Sequence, residues 1–106
     1  MSAITTHVLD TANGRPAPGI TVRLEGQGVE AEGSTDQDGR CRDLGPDEVT
    51  AGTYRLVFGT APYFESLGQQ GFFPEVTITF TITDPTQHHH VPLLLSPYGY
   101  STYRGS

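Results

Sequence analysis

The chain has 106 residues and a formal net charge of −6, which results from six basic and twelve acidic residues. This length suits one domain with one hydrophobic core, and we predict a single domain over residues 1–106. The basic residues are six scattered arginines, so the chain lacks the basic stripe that neutralises phosphates, and nucleic acid is not an expected partner. No run approaches the about 18 apolar residues of a membrane span, so no membrane association is expected.

The composition favours strands over helices. The 13 Gly and 8 Pro interrupt so short a chain often, while 14 Thr, five Tyr and five Phe are typical of sheets. The single Cys41 has no partner for an intrachain disulfide and suits a reducing compartment. Because the first residues also lack the pattern of a signal peptide, we expect a cytoplasmic protein.

Hydrophobic alternation and turn residues place the elements in chain order. One short helix is predicted over residues 62–70, which begin with Pro and are followed by Gly. The strands are predicted over residues 3–10, 20–25, 26–35, 40–44, 54–58, 76–83, 88–95 and 100–103. Short strands at regular spacing are typical of an antiparallel β-sandwich.

Two of these strands differ in their faces. Residues 76–83 alternate apolar side chains with threonine, as expected of a strand with one face in water. Residues 88–95 carry apolar side chains on both faces towards their end. We therefore expect the second face to be covered, and in a chain this short another subunit is the simplest cover.

The histidines at 88–90 have three interpretations. They are polar residues at a strand edge, which is the interpretation we favour for His89. As a less favoured alternative, His88 and His90 form a zinc site with His7, although no other ligand stands at a supporting spacing. Thirdly, His7 and His90 share a face of neighbouring strands and act in acid–base hydrolysis, with an arginine stabilising the developing negative charge.

Two further features gain meaning only in combination with those histidines. Arg40 follows an Asp-Gly turn and, taken alone, is a solvated residue at a strand start. Residues 103–106 read Tyr-Arg-Gly-Ser, and such ends normally fray. An active site that used them would need this end held in place, for instance at a subunit interface.

Several segments together resemble the 5-hydroxyisourate hydrolases, the purine-catabolic relatives of transthyretin. The N-terminal ones also occur in unrelated sandwich domains, whereas the last is specific, since a final Tyr-Arg-Gly-Ser separates the hydrolases from the transthyretins. The matching segments are residues 6–10, 14–19, 35–40, 63–64, 73–75 and 90–106.

The resemblance implies an all-β fold, the transthyretin-like (prealbumin-like) sandwich of two four-stranded antiparallel sheets with one short helix. It further implies that the strands bearing His7, Arg40, His90 and Tyr103 belong to one sheet. A homotetramer is implied as well, in which these sheets line a channel containing the active sites.

The implied reaction is hydrolytic opening of 5-hydroxyisourate to 2-oxo-4-hydroxy-4-carboxy-5-ureidoimidazoline, with no metal and no other cofactor. By the same resemblance the catalytic residues are His7, Arg40, His90 and Ser106. The residues expected to bind the substrate are His7, Arg40, Tyr103 and Arg104. Two other classes stay open, namely a carrier of small ligands and a monomeric β-sandwich accessory module.

Overall fold

Nine strands and one helix make up the part of the chain that the computed structural model describes, residues 2–106. The elements are β1 (Ile4–Asp10), β2 (Arg15–Pro16), β3 (Thr21–Gly26), β4 (Val29–Ser34), β5 (Arg40–Cys41), β6 (Gly52–Gly59), α1 (Ala61–Ser66), β7 (Val76–Ile82), β8 (His89–Ser96) and β9 (Gly99–Thr102). They form two sheets, so the predicted all-β sandwich with one short helix is confirmed. No helix among residues 2–106 has the length and apolar character needed to cross a bilayer.

The sheet that carries the histidines has the order β2-β1-β8-β9, with β5 also paired to β1. The prediction of four antiparallel strands is wrong here in two respects. β1 and β8 run parallel, because the chain passes through the whole second sheet between them. The fifth strand arises because the two-residue strands β2 and β5 both pair with one edge of β1, β2 at Leu9 and Asp10 and β5 at Thr6 and His7.

The second sheet has the predicted form. Its order is β4-β3-β6-β7, and every neighbouring pair is antiparallel. The core lies between the two sheets and is built from the inward-facing side chains at alternate positions along the strands. Burying each large aliphatic or aromatic side chain contributes about 1.5–3 kcal/mol. The largest fully buried ones are Tyr54, Phe58, Phe64, Ile4, Ile20, Leu24, Leu44, Leu56, Ile82, Leu93, Leu95 and Val8.

β8 has the two-faced character expected from its sequence. Leu93 and Leu95 point into the core, while Pro92 and Leu94 lie on the outer face, where Pro92 is buried and Leu94 is half-buried. His89 does stand at the start of the strand, but the expectation of a polar residue at an exposed edge is wrong, because His89 is buried. Its side chain is only 5% exposed on the inner face, where ring Nδ1–H donates to the Gln87 carbonyl at 3.0 Å.

Helix α1 is shorter than predicted because Gly68 takes a positive φ of 68° two residues after it ends. The helix is fastened to the end of β1 through Tyr63, whose hydroxyl donates to the Asp10 carboxylate at 2.6 Å. Burial together with this hydrogen bond raises the pKa of Tyr63 to about 12. The Tyr63–Asp10 contact lies at the opposite end of β1 from Thr5, which is paired with His90.

Candidate active site

The pairing of β1 with β8 assembles the histidines on the outer face of their sheet. In the parallel register Thr5 is opposite His90, and His7 is opposite Pro92. On its other side His7 is paired with Arg40 of β5. The predicted neighbourhood of the two strands is confirmed, although His7 lies diagonally from His90 and Thr5 takes the place directly beside it.

A tight turn holds Arg40 next to β1. The Asp36 carboxylate accepts hydrogen bonds from the backbone N–H groups of Asp38 at 2.9 Å and Arg40 at 3.0 Å. Between them Gly39 has a φ of 75°, and a Cβ there would lie 2.4 Å from the carbonyl oxygen of Val8. Because only glycine fits this approach, the turn docks against β1 in one orientation.

The same turn orients the His7 ring. Nε2 of His7 lies 2.8 Å from the Asp38 carbonyl oxygen. A carbonyl only accepts, so Nε2 carries the proton of this hydrogen bond. In the neutral ring Nδ1 is therefore the nitrogen with the free lone pair.

A pocket of about 220 Å³ opens on the outer face beside these residues. Arg40 and Arg42 bring positive charge to it, and Arg42 also forms a 3.8 Å ion pair with Asp36. His7 lies at the side of the pocket rather than in its lining. The lining side chains that carry chemistry are Thr5, Arg40, Arg42, His88, His90 and Ser106.

His90 is half-buried among polar and positively charged groups. Its Nδ1 lies 2.9 Å from the Thr5 hydroxyl, and Nε2 of His88 lies 2.9 Å from that same hydroxyl. Partial burial, followed by the positive charges of Arg40, His7 and His88, lowers the pKa of His90 below its ordinary 6.5. A neutral His90 imidazole is able to accept a proton at neutral pH.

Residues 103–106 are held against β8 by the chain itself. Gly105 N–H donates to the His90 carbonyl at 2.8 Å, which forms an antiparallel bridge. A Cβ at Gly105 would lie 2.6 Å from Cδ2 of the His90 ring, so glycine lets the backbone pass directly over the imidazole. This contact within one chain holds the segment, so a subunit interface, one possibility raised by the sequence, is not required for that purpose.

The other two residues of that segment lie outside the pocket. Tyr103 is 57% exposed, and Arg104 Nη2 donates to the Gln87 side chain at 2.7 Å. Both line a neighbouring hollow of about 270 Å³, which is shared with His90 and the edge of β7. Their assignment to substrate binding stays a prediction, and in this structure only Ser106 of the segment reaches the pocket with Arg40.

A hollow of about 620 Å³ on β3 and β4 of the second sheet lacks such a set of side chains. It is lined by Arg23, Glu25 and other strand residues, without a histidine. Across residues 2–106, no group of three or more His, Cys, Asp or Glu side chains is placed to hold a metal ion.

Comparison with known proteins shows which family the chain belongs to. The sequence pattern of the HIUase/Transthyretin family matches residues 4–105. The chain belongs to this family. The 5-hydroxyisourate hydrolase of Mus musculus is 50% identical over an alignment that covers 99% of this chain and 96% of that protein.

Two solved structures show the fold in both branches of the HIUase/Transthyretin family. The 5-hydroxyisourate hydrolase of Klebsiella pneumoniae has a TM-score of 0.86 and 38% identity, covering 97% of this chain and 98% of that chain. Sea bream transthyretin in complex with thyroxine has a TM-score of 0.82 and 27% identity, covering 97% and 94%. The chain is thus more similar in sequence to the hydrolase than to the thyroxine-bound protein.

Four lining residues were not assigned to catalysis or substrate binding from the sequence, namely Thr5, Thr6, Arg42 and His88, of which His88 was weighed only as a metal ligand. Alternation was an available signal for Thr5, Arg42 and His88, because each of these lies two positions from a residue that was assigned. Taken alone, threonine, arginine and histidine are ordinary residues on a solvated strand face, so the sequence did not single them out.

Proposed function

We propose that this protein hydrolyses 5-hydroxyisourate, opening its six-membered ring. The observation that carries the proposal is the meeting of His90, Arg40 and Ser106 at one pocket, with His7 beside them. Relatives named as 5-hydroxyisourate hydrolases align over nearly the whole chain, which supports the same conclusion.

The first step is addition of water to the ring carbonyl carbon. We assign the base to His90, because burial and the neighbouring positive charges lower its pKa and so keep the imidazole neutral. As the imidazole accepts a proton from water, the oxygen of that water forms a bond to the carbonyl carbon. General-base catalysis of this kind contributes about 10²–10⁴-fold.

Arg40 then stabilises the negative charge that develops on the carbonyl oxygen. Its backbone is fixed by the Asp36 turn, so Arg40 lines the pocket before the reaction begins. A fixed donor of this kind needs no reorganisation as the charge forms. Ser106, in the same pocket lining, completes the hydrogen-bonding surface around the reacting carbonyl.

Collapse of the tetrahedral intermediate breaks the bond between the carbonyl carbon and the ring nitrogen. The proton taken from water passes to that nitrogen, and the carbon becomes a carboxylic acid, which loses its proton to solvent to give the carboxylate of 2-oxo-4-hydroxy-4-carboxy-5-ureidoimidazoline. We assign His7 to relaying this proton: its Nδ1 lone pair accepts the proton from the His90 imidazolium and passes it to the ring nitrogen, while Nε2 stays engaged by the Asp38 carbonyl. Overall one water is consumed, and no redox change occurs.

The direct test is ultraviolet absorbance. Urate and urate oxidase generate 5-hydroxyisourate, and catalytic amounts of this protein should accelerate its decay to the ring-opened product. A protein that binds the compound in stoichiometric amounts without accelerating its decay would be a carrier. Unchanged decay together with no binding would favour an accessory module.

We further propose that the protein assembles as a homotetramer through the outer face of the β1–β8 sheet. The half-buried Leu9 and Leu94 lie on this face, next to the pocket. The pocket of about 220 Å³ in one subunit is also smaller than the roughly 300–1,000 Å³ of most small-molecule sites, as expected if a second subunit completes it.

Light scattering measures this assembly. The wild type should have four times the mass of one chain, and Leu94→Glu should lower that mass because it buries a charge at the interface. A monomeric wild type that hydrolyses the substrate at full rate would refute the assembly without affecting the chemistry.

For its location we propose the cytoplasm. The buried, unpaired Cys41 suits a reducing compartment. Fractionation of the source cells with an antibody would measure the distribution directly, and recovery outside the cytoplasm would refute this assignment.

A further inference from the structure

The Thr5 side chain occupies a position that the mechanism above does not use. Thr5 is only 5% exposed, and its hydroxyl lies 2.9 Å from two imidazole nitrogens, Nε2 of His88 and Nδ1 of His90. Both imidazoles also line the pocket. One hydroxyl therefore connects the proposed base with a second histidine on the same strand face.

Counting protons limits what this triad of groups can do. A threonine hydroxyl has one hydrogen to donate and accepts through its oxygen. It donates to one of the two nitrogens at most, and the other nitrogen must then carry its own proton and donate to the oxygen. The tautomers of His88 and His90 are thus coupled through a single hydrogen.

The two arrangements have opposite consequences for the base. If Thr5 donates to His90, the neutral ring carries its proton on Nε2 and no ring nitrogen is left to accept one from water. If Thr5 donates to His88 instead, His90 Nδ1–H donates to the hydroxyl and Nε2 holds the lone pair. Gly105 packs over the adjacent Cδ2 atom of the His90 ring, which fixes the direction in which that lone pair points.

We propose that Thr5 is a positioning residue which, with His88 as its acceptor, fixes His90 in the tautomer that has its proton on Nδ1 and its lone pair on Nε2. This inference rests on the proposed function, because it concerns the base of that reaction. It assigns to Thr5 and His88 a part in the chemistry without contact with the reacting atoms.

The first experiment reads the tautomer without any substrate. Protein labelled with ¹⁵N-histidine is studied by long-range ¹H–¹⁵N correlation at a pH where His90 is neutral, with the ring signals of His89 and His90 assigned from His89→Gln and His90→Gln variants. The expected spectrum for His90 has a protonated Nδ1 and an unprotonated Nε2. A proton found on Nε2 would overturn the proposal even in a fully active enzyme.

The second experiment measures kinetics. Thr5→Val keeps the side-chain shape but removes the hydroxyl, and kcat should fall about 10–100-fold with KM little changed, as for loss of other orienting hydrogen bonds. Thr5→Ser should restore most of the loss, because it returns the hydroxyl. A serine variant as slow as the valine variant would show that the hydroxyl is not responsible.

A matched control and a double mutant separate this role from simple stabilisation. Thr11 also connects the β1 end to β8, but its hydroxyl donates to the Leu95 carbonyl at 3.2 Å, so Thr11→Val should leave kcat unchanged. His88→Leu removes the acceptor and should lower kcat as Thr5→Val does, with the two effects strongly non-additive in the double mutant. Fully additive losses would refute the shared hydrogen. If the wild type fails to hydrolyse 5-hydroxyisourate, the proposed function fails, whereas the spectrum still decides the tautomer.

Discussion

The two ends of β1 carry polar side chains in buried positions, but only one end is open to chemistry. At one end the Asp10 carboxylate, 1% exposed, accepts hydrogen bonds from the Tyr63 hydroxyl and the Asn13 amide at 2.6 and 2.7 Å. At the other end Thr5 contacts His88 and His90. The same strand therefore anchors the helix at one end and orders the candidate site at the other.

The pKa values show how the two ends differ. Burial by itself would raise the pKa of Asp10, but the hydrogen bonds from Tyr63 and Asn13 outweigh it and hold the value below the ordinary range. At His90, burial and nearby positive charges lower the pKa. At neutral pH Asp10 is therefore a carboxylate and His90 a neutral imidazole. The Asp10 oxygens are occupied by fixed donors. His90, in contrast, keeps one ring nitrogen available to the pocket.

The largest effect should come from removing residues 103–106. This deletion takes away Ser106 from the pocket and the Gly105 backbone that packs over the His90 ring. We expect hydrolysis to be abolished while circular dichroism and the melting temperature stay close to those of the wild type. Undiminished hydrolysis by the truncated protein would leave these residues with a purely structural part.

Arg40→Ala should have the next largest effect. Loss of a fixed charge at the developing oxyanion costs about 10²–10³-fold in kcat. Arg23→Ala is the matched control, because Arg23 is an exposed arginine of the second sheet whose nearest carboxylate is Glu25 at 3.9 Å. Equal activities of the two variants in the absorbance assay would exclude Arg40 from the mechanism.

The pH dependence should report on His90. Because its pKa is lowered, its basic form persists to more acidic pH than that of an ordinary histidine, and kcat/KM should decline only below about pH 6.5. The free energy of unfolding should depend on pH in the same direction. As the pH falls, His90 is protonated in the unfolded chain before it is protonated in the folded protein, so its contribution to stability decreases below the pKa that it has in the unfolded chain. In Arg40→Gln the loss of a neighbouring positive charge should raise the pKa of His90, so the decline of the residual kcat/KM should begin at a higher pH. A decline at the wild-type pH would show that another group causes it.

The smallest effect on activity is expected at the far end of β1. Tyr63→Phe removes one donor from the buried Asp10 carboxylate and should lower the free energy of unfolding by about 1–3 kcal/mol. Hydrolysis at a temperature well below melting should be unchanged. A large loss of kcat in this variant would show that the two ends of β1 are coupled.

Much of this arrangement was predictable from residues close together in the sequence. Alternation along residues 76–83 and 88–95 predicted the two strands that the structure has at Val76–Ile82 and His89–Ser96, and it placed His88 on the same face as His90. It also placed Thr5 with His7. These predictions hold because the side chains of a strand point to alternate faces whatever the strand is paired with.

The sequence by itself thus determined the all-β fold class and the faces of the strands. Through resemblance it also gave the residues expected at the site. The tertiary structure decided that β1 and β8 run parallel and that Thr5, rather than His7, stands opposite His90. It also decided that the Asp36 turn brings Arg40 beside His7. The physical reason is distance along the chain, since Thr5 and His90 are 85 positions apart and their register depends on the packing of the whole sandwich rather than on local alternation.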